Sequence, residues 1–341
     1  MGYSIGILNN IRANASEEYQ NRIPEATQIN IQQIGSALQT YTLLYNEFCS
    51  ALVNKIGKTI LEQKLFKNGL ARFKQGTVAT QQDVEEIFIE MAKAEGAYDP
   101  EGKNPLGRRT GPDVKAIYHR QSRRDKYVIS IGDLDFLRVF RSEATLDSFI
   151  AGKINAVYSG ANYDEWLAMK ELIATYPGYS VVNLDEDPTT ATGAKKLAKS
   201  VKKLARDLTF PSTKYNDAGV MTWSNPGDMV LLINKDVLTE VEVELYSTTF
   251  NKGDVKMPFE VIAMDDFGSL GADSPMPGDS DKTGTPYAIL VDKDWFRVYD
   301  TLSHMEPQRN ADGLFTNYFY HVHQILSVST FKNAVLIGQY T

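Results

Sequence analysis

Two histidines, His321 and His323, stand two residues apart in NYFYHVHQILSVSTF (Asn317 to Phe331), and they are half of the four histidines in the chain. On a strand, positions i and i+2 project from one face, so the pair has the spacing of two metal ligands. A zinc site needs at least three protein ligands. The remaining histidines, His119 and His304, have no ligand-like neighbour at a recognisable spacing. Alternation puts Phe319, His321, His323 and Ile325 on one face, and Tyr318, Tyr320, Val322 and Gln324 on the other. The residues read first as polar members of an aromatic strand. A metal-dependent hydrolase using His321, His323 and loop carboxylates stands as the alternative.

Other chemistry is thin. The lysine-rich segment 194–208 could bind phosphate, but Leu197, Val201, Leu204 and Leu208 form an ordinary core stripe whose opposite face is solvated. GSLGADSPMPG lacks the strand-to-helix setting of a phosphate-cradling loop, and neither GxxxxGK[ST] nor GxSxG occurs. Asp265–Asp266 and Asp185–Glu186–Asp187 lie beside Pro or Gly, as turn and solubility residues do. Cys49, the one cysteine, cannot form an internal disulfide and reads as a small buried thiol in FCSALV. No catalytic residue, metal site or cofactor is assigned.

The elements that would position these residues follow from bulk properties. At 341 residues, 43% hydrophobic and 23% charged, the chain is long enough for one large or two ordinary packed domains. No apolar run approaches the roughly 20 residues that cross a bilayer, and the start carries no long apolar leader; MGYSIG lacks the Ser or Thr of a myristoylation signal. A net charge of −7 argues against a dedicated nucleic-acid binder, though not against a protein that surrounds nucleic acid.

Residues 1–65 read as an extended segment leading into helical pieces, with a helix pair between Gln32 and Lys58. A long helix is expected over 143–176, capped by Ser142 and stopped by Pro177-Gly178-Tyr179. From about residue 220 the period falls to two: MVLLINKDV, VEVELY, FEVIAM, YAILVDKDWFRVYD and NYFYHVHQILSVS read as strands, with the acidic, glycine-rich run from Asp265 to Pro286 as a surface loop. This order is α+β, not alternating doubly wound.

One feature is unusual. From Asp83 to Glu101 the chain carries seven acids against Lys93 alone; from Lys103 to Lys126 it carries eight bases against Asp113 and Asp125. The breaker-rich YDPEGKNPLGRRTGP joins the halves. Such a segment reads as a projection that goes out acidic and returns basic, and opposite halves on neighbouring copies would fix register and partner choice. Lys74, Arg108, Arg109, Lys115, Arg120, Arg123 and Arg124 are the candidate inter-subunit residues.

The C-terminal run AILVDKDWFRVYDTLSHMEPQRNADGLFTNYFYHVHQILSVSTFKNAVLI strongly resembles the major capsid proteins of the phi29-like short-tailed phages. Weaker similarity runs through KKLARDLTFP, LVNKIG, RFKQG…VEEIF and YDEWLAMKELI, in the right order over most of the chain. The resemblance implies a Hong Kong 97-type capsid fold. Residues 1–65 would form the N-terminal arm and 66–130 the extended loop across a neighbouring subunit. Residues 131–182 and 317–341 would form the peripheral domain with its spine helix, and 183–316 the axial domain. Gly160, the Pro177-Gly178-Tyr179 turn and the glycine-rich excursion would be hinges, and no C-terminal immunoglobulin-like domain is expected after Thr341. The resemblance further implies pentamers and hexamers of the chain in an icosahedral or prolate shell. That shell would enclose double-stranded DNA without reading its sequence, with a scaffolding protein, a portal (connector) and head fibres as partners. The protein would end in the virion after assembly in the host cytoplasm, with no membrane, no cofactor and no identified lysine–asparagine cross-link. A bacterial nanocompartment shell of the encapsulin type is the second alternative.

Overall fold

The structure, a computed structural model, describes residues 3–41, 43–44, 47–48, 51, 66–80, 82–92, 100–101, 111–132, 152, 155–249, 259–271 and 273–341. Ser142, Cys49, Arg108, Arg109 and residues 143–151 of the expected long helix lie outside them. Among the described residues, no helix is long and apolar enough to cross a membrane.

Where an extended start was expected, three helices lie within residues 3–40. Helices α1 (Tyr3–Asn14), α2 (Glu17–Arg22) and α3 (Ile31–Thr40) bury Ile7, Leu8, Ile11, Tyr19, Ile34 and Leu38 together with Ile131 and Tyr318. Arg12 ties them by donating from Nε to the Ile23 carbonyl (2.7 Å) and from Nη2 to that of Gln20 (2.9 Å), groups that a helix end leaves unpaired.

Two sheets follow. Strands β1 (Lys74–Thr77), β4 (Arg123–Gly132), β10 (Phe296–Asn310) and β11 (Phe315–Val328) form a four-stranded sheet in the order β1-β10-β11-β4. The other is six-stranded: β5 (Ser180–Asn183), β12 (Ala334–Tyr340), β9 (Asp279–Asp292), β6 (Met229–Asn234) and β7 (Glu260–Met264) in that order, with β8 (Ser274–Met276) also pairing β9. A separate ribbon pairs β2 (Val84–Ile89) with β3 (Val114–His119). Within the segment expected as the 66–130 excursion, β1 and most of β4 pair in the four-stranded sheet, and β2 and β3 form the ribbon. The expected 316/317 boundary falls inside β11, which pairs β10, while β12 pairs β5 and β9.

Helix α4 (Asn155–Thr175) buries Ala161, Glu165, Met169 and Ile173, four apart and hence on one face. It runs unbroken through Gly160, so that glycine is not a break in the helix. Met169 and Ile173 pack with Val230, Ile289, Trp295 and Leu336 on one face of the six-stranded sheet. On the other face, α5 (Ala191–Asp207) and α6 (Lys235–Thr249) bury Leu197, Val201, Leu204, Val237 and Val241 against Leu231, Leu290 and Ile337.

VEVELY, expected as a strand, lies in α6. Its alternating V-E-V-E imitates period two, yet Val237 and Val241, four apart, are the positions buried, while Val243 is exposed. The Asn234 side chain accepts from the Asp236 amide at 2.9 Å where the helix starts, and packing on α5 overrides the strand preference of valine. Part of the expected acidic loop is likewise a hairpin: β8 turns into β9 through Gly278, whose φ of 83° suits glycine.

Candidate functional site

The histidine pair is set by strand register. In β11, His321 faces His304 of β10 on one side and Lys126 of β4 on the other; His323 faces Leu302 and Arg124. The two rings stand edge to face with centroids 6.5 Å apart. Their nearest charged strand neighbours are cations, which repel a metal ion. His304 is engaged with Glu306 at 3.2 Å. Among the described residues, no group of three His, Cys, Asp or Glu side chains could hold a metal.

The opposite face of the same strand holds what sequence reading missed. Arg123, 5% exposed, spends its fork inside the subunit: Nε on Asp125 (2.5 Å), Nη1 on Gln324 Oε1 (2.7 Å), and Nη2 on the Tyr127 hydroxyl (2.8 Å) and the Ala161 carbonyl (3.1 Å). Gln324 turns its amide to Asp300 Oδ1 (2.7 Å) and to Glu165. Lys74 closes the ring on Glu165 (3.0 Å) and Asp300 (2.7 Å), and Asn68 donates to Glu165 at 2.8 Å. Burial disfavours both charges, but each supplies the other's remedy. Asp300 and Glu165 hold the Lys74 ammonium above its usual pKa, and Lys74, Gln324 and Asn68 hold the Glu165 carboxyl below its own.

Lys74 and Arg123 are thus internal structural cations and not free assembly charges. They join β1, β4, α4, β10 and β11 into one polar seam. Lys115 donates to the Ala218 carbonyl at 3.0 Å, and exposed Arg120 lies 3.5 Å from Asp83. Arg124 is exposed and has no partner among the described residues. Arg108 and Arg109 lie outside the described residues.

The β2–β3 ribbon is fastened by its inner face. Glu86 meets His119 Nε2 (3.1 Å), Arg297 Nη2 (2.5 Å) and Ser329 Oγ (3.0 Å), while His119 Nδ1 lies 2.8 Å from Ser327 Oγ. Burial pushes the Glu86 carboxyl up, but His119, Arg297 and Ser329 outweigh it and bring it down to about 2. Phe88 packs on Phe331 with ring centroids 5.5 Å apart. On the outer face Ile87, Ile89, Val114 and Tyr118 are 55%, 60%, 56% and 58% exposed, beside Glu85, which accepts from the Tyr118 hydroxyl at 2.9 Å. Sequence reading weighed the charges of this segment and overlooked its alternating apolar positions.

The ribbon is thus fastened on its inner face by both polar and aromatic contacts, and its exposed face is mostly apolar. The family model of the phi29-like phage major capsid protein matches residues 8–338. The chain belongs to that family. The major capsid protein of Bacillus phage B103 is 36% identical over 339 residues, covering 97% of this chain and 72% of that protein. That of Streptococcus phage Cp-1 is 28% identical over 345 residues, covering 97% and 93%. Among solved structures, the capsid of Staphylococcus phage Andhra aligns with a TM-score of 0.62 at 14% identity, over 82% of this chain and 86% of that one. A bacteriophage P68 structure aligns equally well, with a TM-score of 0.62 at 16% identity and the same coverage. This mixed α+β chain therefore has phage capsid folds of the Hong Kong 97 type as its structural neighbours. It is a major capsid protein that self-assembles into the virion shell, a structural protein and not an enzyme. The hydrolase and nanocompartment alternatives gain no support from these relatives.

Proposed function

We propose that the β2–β3 ribbon is the arm by which each copy of this major capsid protein grips a neighbour in the shell. One observation carries this: the ribbon is held from beneath by Glu86 while its outer face leaves Ile87, Ile89, Val114 and Tyr118 bare. Exposed apolar strips of this kind mark association surfaces. The charge inversion around the ribbon then sets which neighbour is gripped and in what register.

In this reading, residues 1–65 form the arm region and the ribbon is the core of the extended loop. The four-stranded sheet with α4 is the peripheral unit, and the six-stranded sheet with α5 and α6 is the axial unit near the ring centre. Pentamers and hexamers close an icosahedral or prolate shell around double-stranded DNA, held without reading its sequence. A scaffolding protein and a portal serve assembly in the host cytoplasm, and head fibres attach afterwards. The P68 structure, a fold neighbour, includes a head fibre, and the fibre partner is carried over from it.

The test is charge reversal at Arg108 and Arg109, which lie between β2 and β3 in sequence, beside apolar disruption of the ribbon's face. Arg108→Glu with Arg109→Glu, and separately Ile87→Asp with Tyr118→Asp, should each block particle formation while leaving the subunit's thermal melt in place. Normal shells from both double variants would overturn the arm reading.

A further inference from the structure

Helices α5 and α6 lie side by side on one face of the six-stranded sheet, yet their charges are segregated by sign. Between Ala191 and Asp207, α5 carries six bases and one acid; between Lys235 and Thr249, α6 carries four acids and one base. The seam between them is apolar, built from Val201, Leu204, Val237 and Val241. Lys196 is neutralised within the subunit by Glu186 at 2.5 Å. Lys199, Lys202, Lys203 and Arg206 of α5 and Asp236, Glu240 and Glu242 of α6 form no ion pair among the described residues.

This segregation is costly in an isolated subunit. Lys199 repels Lys202 and Lys203 at i+3 and i+4, and Lys202 repels Arg206, each by a few tenths of a kcal/mol. Mixing the signs along each helix would have relieved it. Instead the domain has one positive flank and one negative flank, in a chain whose overall charge is −7.

The flanks also differ in shape. Along α5, five bases (Lys195, Lys199, Lys202, Lys203 and Arg206) and one acid, Asp207, wall a shallow groove with Ala198 beneath. On α6, Val243 stands out into solvent beside Glu242. An apolar knob edged by acid suits an apolar groove edged by base. Two different surfaces meeting head to tail generate a ring when the rotation closes.

We infer that the acidic flank of α6 in one copy docks on the basic flank of α5 in the next copy around the capsomer ring. The contact selects neighbour and register through charge, and it would weaken with salt. The inference rests on the shell reading and names a second contact in it, independent of the β2–β3 ribbon.

Three charge variants test it. One reverses α5 (Lys199→Glu, Lys202→Glu, Lys203→Glu), one reverses α6 (Asp236→Lys, Glu240→Lys, Glu242→Lys), and the third carries both sets. Circular dichroism checks folding, and sedimentation with electron microscopy counts particles. Each single reversal should cut particle yield about tenfold or more, and the double reversal should restore most of it, because the contact is re-formed with inverted signs. Normal yield from both single reversals, or no rescue in the double, overturns the contact. So does an α5 variant that assembles fully but retains less DNA, which would make α5 a polyanion surface. Absence of particles from the unmodified chain, expressed together with a scaffolding protein, would instead remove the shell reading, and this contact with it. Should a variant fail to fold, carbodiimide cross-linking of shells made from mixed heavy and light chains replaces it. Mixed-isotope peptides joining Lys199, Lys202 or Lys203 to Asp236, Glu240 or Glu242 support the contact, and only same-isotope links contradict it.

Discussion

Arg123 on β4 and Gln324 on β11, 201 residues apart in sequence, are joined by a 2.7 Å hydrogen bond inside the subunit. Through Gln324 the guanidinium is connected to Glu165, Asp300 and Lys74, so strands from three distant stretches of chain and the helix α4 share one set of charges.

Removing Arg123 takes the buried donor from the Gln324 side-chain oxygen and the Ala161 carbonyl, while Lys74, Glu165 and Asp300 keep their mutual contacts. Arg123→Met should therefore destabilise the subunit by about 1–3 kcal/mol, beyond an ordinary surface substitution. Chemical denaturation of the unassembled subunit measures it. A change under about 1 kcal/mol would mean that the seam does not hold the sheet to α4.

Glu86 gives the ribbon an acid limit. Its folded-state pKa of about 2 lies below the ordinary 4.5, so its stabilisation is complete above pH 4.5 and is lost as pH falls toward 2. Hydrogen exchange at β2 and β3 should rise over that window, and Glu86→Gln should remove most of the pH dependence. Equal protection in the variant and the parent at both ends of the window would refute the fastening role.

Asp292 behaves in the opposite sense. Burial raises its carboxyl pKa, although Ser224 donates to it at 2.6 Å. The unfolded chain loses that proton more readily, so the buried carboxylate costs stability as pH rises above the ordinary range. Asp292→Asn keeps an acceptor for Ser224 and should be neutral or stabilising at neutral pH, by about 1 kcal/mol at most. Thermal melts at two pH values decide it.

His321 and His323 should bind no stoichiometric metal. After incubation with excess zinc and desalting, elemental analysis should find the same residual content in the parent and in His321→Ala/His323→Ala. The substitution should change stability by about 1 kcal/mol or less, because neither ring is fully buried. One zinc per chain, lost in the variant, would reopen the hydrolase reading.

Much of the architecture could be read from residue patterns. The core stripe of α5, the stop at Pro177-Gly178-Tyr179 and the alternation in β11 all depend on neighbours within a few positions. What escaped depends on partners far along the chain. A run of bases shows where charge accumulates, but not that Lys74 and Arg123 meet Glu165, Asp300 and Gln324, which lie between 91 and 226 positions away. Glu165 and Gln324 looked like ordinary polar residues, because their role exists only once two strands and a helix have met. The VEVELY segment failed for another reason: its local period favours strand, and only the packing of α6 on α5 decides for helix.

A cryo-electron microscopy map of the assembled shell, at side-chain resolution, tests the ribbon most directly. In every pentameric and hexameric setting, the outer face carrying Ile87, Ile89, Val114 and Tyr118 should be covered by a neighbouring copy. A map in which that face stays open to solvent throughout the shell would contradict the proposed arm.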